Sequence, residues 1–97
     1  MIENAQDEAL IILAEECSEV IKIISKIHRY GLDTIAPWWP GQDPETNQHK
    51  LACELGDLQA MIDIVSDVFC IEKTAIIYNA AAKKSKLKNY SEHLKNY

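Results

Sequence analysis

Residues 10–30 read LIILAEECSEVIKIISKIHRY, and from about Asn4 to Tyr30 the chain carries neither proline nor glycine. Leu10, Leu13, Cys17, Val20, Ile24 and Ile27 recur at the three- and four-residue spacing that lines one side of a helix, so the stretch predicts a single long helix packed through that row. Gly31 supplies the left-handed stop expected just past a helix end, after His28 and Arg29, whose charges suit a helix C-terminus.

Beyond this helix, residues 31–46, GLDTIAPWWPGQDPET, hold all three prolines and two of the three glycines, which excludes a helix or a strand interior and predicts a loop. Asn47 can cap a second helix reaching about Phe69, with Leu51, Leu55, Leu58, Ile62, Val65 and Phe69 on one face. A third helical stretch starts near Glu72; its apolar pattern of Ile71, Ala75, Tyr78 and Ala82 is weaker and runs into a lysine-rich end expected to fray. No segment alternates as a strand does. The expected fold is all-α: one domain over residues 1–97, an antiparallel bundle of three to four helices completed by oligomerisation.

Composition narrows the class further. A chain of 97 residues with 47% hydrophobic content supports one modest core and would be marginal as a monomer. Residues 1–72 hold 14 acids against 4 bases and residues 73–97 hold 1 acid against 6 bases, an acidic body with a basic tail. Six bases on a chain of net charge −5 make a poor electrostatic footprint for nucleic acid. Cys17, Cys53 and Cys70 show no metal-like spacing and fall in apolar-periodic stretches, so they are expected to be buried reduced thiols in a reducing compartment. No leader pattern opens the chain and no run approaches the ~20 apolar residues of a membrane span, so the expected address is the cytoplasm, without a membrane partner.

The chemistry-bearing residues are carboxylates. Glu15, Glu16 and Glu19 occupy a sector roughly 100° wide beside the apolar row of the first helix, and Glu54 and Asp57 border the apolar face of the second. If those faces pack together, all five acids meet. Converging carboxylates repel one another and resist ionisation, which implies a compensating cation, and an all-oxygen ligand set favours Mg²⁺ or Mn²⁺ over zinc. A solvated face with intrahelical partners, such as Glu19 with Lys22 or Lys26, explains any one glutamate but places the set on the wrong side of the helix.

Glu15-Glu16-x-x-Glu19 followed by Glu54-x-x-Asp57 on consecutive helices resembles the E-E-x-x-E and E-x-x-D signature of the all-α nucleoside triphosphate pyrophosphohydrolases, the MazG-like superfamily. LAEECSEVIKIISK, HRYGLD and NQHKLACELGDLQAMIDIV look like the short single-domain members often encoded by bacteriophages, for which the address would be the host cytoplasm. The resemblance covers about residues 8–90, and it departs from the family in the 34 residues between Glu19 and Glu54, a wider gap than usual. It implies Glu16, Glu19, Glu54 and Asp57 as metal ligands, with Glu15 as a further ligand or the group that orients the attacking water.

The implied reaction is hydrolysis of a nucleoside or deoxynucleoside triphosphate to the monophosphate and pyrophosphate by water attack at the α-phosphorus, with Glu15, Glu16 and Glu19 at the reacting end. The departing pyrophosphate needs cations, and the candidates are Lys26 and Arg29 on the first helix and Lys83 and Lys86 on the third. The resemblance adds Asn79 beside Lys83, on the helix where family members place an Asn and a Lys against phosphates or sugar. Trp38 and Trp39, with Tyr30, can supply a base-stacking slot, or equally a plug over the core or a subunit contact.

Two rivals stand beside the enzyme. A di-iron or di-manganese carboxylate bundle requires a Glu-x-x-His pair that follows none of these glutamates. A non-catalytic helical oligomerisation module with a vestigial metal site draws support from Ile11, Ala14 and Ile21, apolar residues away from the main row. That surplus apolar surface predicts a homodimer or homotetramer in either case.

Overall fold

The computed structural model describes residues 2–35 and 45–97. Three helices follow in order, α1 (Ala5–Tyr30), α2 (Asn47–Val68) and α3 (Lys73–Tyr90), and no described helix is long and apolar enough to cross a membrane. Trp38 and Trp39 lie outside the described residues.

Local chemistry sets each boundary. Asn4 caps α1, its side chain accepting the Asp7 amide at 2.9 Å. At the far end Gly31 takes φ 93°, open to glycine, and donates its N–H to the Ile27 carbonyl at 2.7 Å. The cap of α2 is Thr46, whose hydroxyl accepts the His49 amide at 3.1 Å, and not the expected Asn47. Asn47 is instead the first helical residue, 1% exposed, with its side-chain amide donating to the Gly31 carbonyl at 3.0 Å. Backbone bonds from Asn47 to Thr34 and from Gln48 to Leu32, with a bridge between Ile35 and Thr46, tie the start of α2 to the end of α1.

At the other end of the pair, the Gln6 side chain donates to the Val68 carbonyl at 3.1 Å, so α1 and α2 form an antiparallel hairpin. They pack along each other, whereas α3 packs along neither. Its lysine-rich portion remains helical to Tyr90 where fraying was expected.

The link into α3 is a turn with an uncommon residue at its centre. Cys70 sits at φ 54°, its N–H reaching the Asp67 carbonyl, while the Ile71 N–H bonds the Ser66 carbonyl at 2.8 Å. This is the Schellman pattern, which ordinarily places glycine at the left-handed position. Cys70→Gly is therefore expected to raise stability by about 1 kcal/mol through relief of the Cβ clash; thermal melts of both proteins at matched concentration check it, and an unchanged or lower midpoint would show that the thiol has compensating contacts.

The buried face of α1 shares only one edge with the predicted row, the half-buried Leu13, Val20 and Ile27. Ala9 and Ile23 are 4% exposed and Met61 of α2 is 8% exposed, whereas Leu10 and Ile24 are 47% and 43% exposed. Relative to the predicted row the contact face is rotated by roughly 60°, using 100° per residue. Leu55 and Phe69 of the predicted α2 face are also exposed. The rotation turns Glu16 toward α2 and leaves Leu10, Cys17 and Ile24 uncovered. All three cysteines are exposed, contrary to the expected packed thiols, so thiol burial does not point to a reducing compartment.

Candidate metal centre

The rotated contact face explains how carboxylates come to lie in an interface. Glu16 projects from the fourth turn of α1 near the line of Ala9 and Ile23, and Glu54 from the line of Asn47 and Met61 on α2; both are half-buried. Asp57, one turn beyond Glu54, is exposed. Carboxylate oxygens of Glu16, Glu54 and Asp57 lie within 4.8 Å of one another, the one such grouping of metal-ligating side chains among the described residues.

No described basic side chain forms an ion pair with any of the three. Loss of solvent at the interface, and then the charges of Asp57, Glu54, Glu19 and Glu15, hold the Glu16 carboxyl above its ordinary value of 4.5. The donor set fits a hard divalent cation. Two oxygens on one Mg²⁺ lie at most about 4.2 Å apart, twice the Mg–O distance, so a 4.8 Å spread needs only a sub-ångström closing of flexible side chains.

The other predicted residues distribute differently. Glu19, the fourth expected ligand, stands outside this grouping and pairs with Lys22 at 3.2 Å, the intrahelical arrangement weighed against a site. Glu15 is exposed on α1, near enough for its charge to act on Glu16. Arg29 stacks its guanidinium 5.0 Å from the centre of the Tyr30 ring. Asn79 donates to the Ala75 carbonyl at 2.8 Å and Lys83 to the Tyr90 hydroxyl, partners within α3 itself, and Lys86 is exposed on the same helix. A single chain thus does not bring the α3 residues to the acids.

Lys26 does reach the neighbourhood, on the wall of a cleft of about 150 Å³ that Glu19 and Glu54 also line. Lys22 and Lys50 line it as well, and neither was expected from the sequence. The signal was there in spacing, since Lys50 precedes Glu54 by one helical turn. No family model, curated protein or solved structure matches the chain.

Proposed function

We propose that the chain is a Mg²⁺-dependent pyrophosphohydrolase, with Mn²⁺ as an alternative cation, that converts a nucleoside or deoxynucleoside triphosphate to the monophosphate and pyrophosphate as a homodimer or homotetramer. The observation that carries it is the cross-helix convergence of Glu16, Glu54 and Asp57 without a described basic partner. A protein keeps half-buried carboxylates together at a cost, and a divalent cation is the simplest compensation. The choice of nucleotide chemistry rests on the resemblance of the two acidic half-motifs.

In this reading Glu16, Glu54 and Asp57 would hold the cation, joined by Glu19 if it leaves Lys22. A divalent cation held there would supply positive charge toward the phosphate oxygens. Glu15 accepts a proton from the water whose oxygen bonds the α-phosphorus; the bridging P–O bond breaks and the electron pair leaves with pyrophosphate. Hydrolysis in ¹⁸O-labelled water should place the label in the nucleoside monophosphate and leave pyrophosphate unlabelled. Orthophosphate and a nucleoside diphosphate as products would mean attack at the outer phosphate and would sink the assignment.

The second reading, a non-catalytic oligomerisation module, is favoured by one distinct observation. The chain exposes 7663 Å² at 11.0 kDa, against the roughly 5,600 Å² of a compact monomer of that mass. The surplus matches what a protomer contributes to an obligate homodimer, about 1,000–2,500 Å². Assembly and catalysis are compatible, and assembly is also the route by which Asn79, Lys83 and Lys86 could meet the acids of another copy. Metal-dependent pyrophosphate release separates the two readings.

A further inference from the structure

The cleft between α1 and α2 beside the carboxylates has a composition that the cation reading leaves unused. Lys22 and Lys26, one turn apart on α1, line the cleft together with Lys50 from the first turn of α2, and Ile23 and Cys53 belong to the same lining. Ile23 is 4% exposed and Cys53 is exposed, so the lining runs from the packed interface out to its surface. Lys50 is half-buried and forms no ion pair among the described residues, an uncommon state for a lysine.

Three acids, Glu19, Glu45 and Glu54, share the lining, so the lysines could simply neutralise them. The contacts point elsewhere. Only Lys22 is engaged, by Glu19, and Glu45 lies 3.8 Å from His49. Among the described residues Lys26 and Lys50 form no ion pair, even though Lys50 stands at the i,i+4 spacing from Glu54. Among the described residues, Lys26 and Lys50 thus border a concave surface without an ion-pair partner, and Glu54, which shares that surface, belongs to the cation cluster.

Size selects the ligand fragment. At about 150 Å³ the cleft falls below the ~300–1,000 Å³ of sites that enclose a whole small molecule, so it suits a compact polyanion better than a nucleoside. We infer that Lys22, Lys26 and Lys50 form an anion subsite that receives the diphosphate portion of the substrate and holds pyrophosphate as it departs. Its role as a leaving-group site rests on the pyrophosphohydrolase reading, whereas its affinity for diphosphate does not. The subsite gives the single chain cations of its own, independent of α3.

The test is titration of the full-length protein with inorganic pyrophosphate in the presence of Mg²⁺, followed by amide chemical shifts and calorimetry. Shifts should centre on Lys22, Ile23, Lys50 and Cys53. Lys26→Gln with Lys50→Gln should weaken binding by about tenfold or more, the loss expected for charge-assisted hydrogen bonds. The Lys26→Arg and Lys50→Arg pair should recover much of it, separating lost charge from altered packing, and Lys84→Gln on α3 should change nothing. Binding that survives the double Gln variant, or shifts confined to α3, would overturn the subsite. A chain that binds pyrophosphate in the cleft but hydrolyses no triphosphate would uphold the subsite and remove the enzyme reading; normal turnover with unaltered pyrophosphate affinity in the double variant would do the reverse.

Discussion

Glu16→Gln should abolish tight Mg²⁺ binding and lower turnover by roughly 10²–10³-fold or more, the loss typical of removing one charge-stabilising group from a reacting centre, while raising the melting temperature of the metal-free protein at neutral pH. Asp57→Asn should share the first two effects. The stability gain has a definite pH dependence, because the Glu16 carboxyl in the folded protein titrates above its ordinary 4.5, through desolvation first and then Asp57, Glu54, Glu19 and Glu15. Between 4.5 and that raised value the folded state binds more protons than the unfolded one, so stability falls as pH rises through the window and the penalty is complete above it.

The neutral Gln side chain lacks that penalty. The difference between variant and parent should therefore be fully developed above the raised Glu16 value and should close as pH falls toward the ordinary carboxylate range. Mg²⁺ should invert the order, raising the parent's melting temperature by mass action and leaving the variant almost unmoved. Melts across pH with chelator and with Mg²⁺, beside turnover at saturating Mg²⁺, check all of this. Equal Mg²⁺ shifts in both proteins, or near-parental turnover in both variants, would take these residues out of a metal centre.

The hairpin was legible because its signals are local. The absence of Pro and Gly from 4 to 30, the Gly31 stop and the Pro-rich segment place α1 and the start of α2 within a residue or two of the observed ends. Thr46 and Asn47 both cap well, and only the contact of Asn47 with Gly31 decides between them. The direction of packing was less legible. α1 is apolar on more than one side, so its richest row, Leu10 to Ile27, marks the widest apolar sector, of which α2 covers only the edge formed by Leu13, Val20 and Ile27. Cys70 gave no turn signal, because the left-handed position is normally read from glycine.

The candidate site divides along the same line. Glu16, Glu54 and Asp57 follow from motif spacing once two helices face each other, and the structure brings these three together. Whether Glu19 joins them or pairs with Lys22 depends on rotamers that spacing does not encode. Cations were sought on α1 and, where lysines are dense, on α3, yet the cleft beside the acids is lined by the expected Lys26 with the isolated Lys22 and Lys50, which were not expected. Density along a chain measures solvated charge; proximity to a cluster is set by which helices pack.

If the chain assembles as proposed, Ile77→Asp should convert the oligomer to a weakly associating, less stable chain, raising the dissociation constant by about 10²–10³-fold. In an isolated monomer the same change would be nearly silent, because Ile77 is 67% exposed and substitutions at such sites usually shift stability by no more than ~0.5 kcal/mol. The case for an assembly combines several features. Only Ala9, Ile23 and Met61 form a buried apolar core among the described residues, while Leu10, Ile21, Ile24, Leu55, Ile71 and Ile77 are exposed. The radius of gyration is 16.8 Å against about 12.5 Å for a compact chain of this length, and the extents of 44 × 43 × 18 Å describe a plate. A helix of 18 residues standing off a two-helix hairpin has too little cover to be stable alone. In the proposed assembly another copy would supply that cover with surfaces already present. Sedimentation of the parent should accordingly give a dimer or tetramer, with a melting temperature that rises with protein concentration. If α3 also carries Asn79 and Lys83 to the acids of another copy, turnover should fall with dissociation and return at concentrations that restore assembly. A monomer with a concentration-independent melt and an inert Ile77→Asp variant would show that α3 stands uncovered in solution, leaving the cation cluster and the lysine cleft of the hairpin to act within one chain.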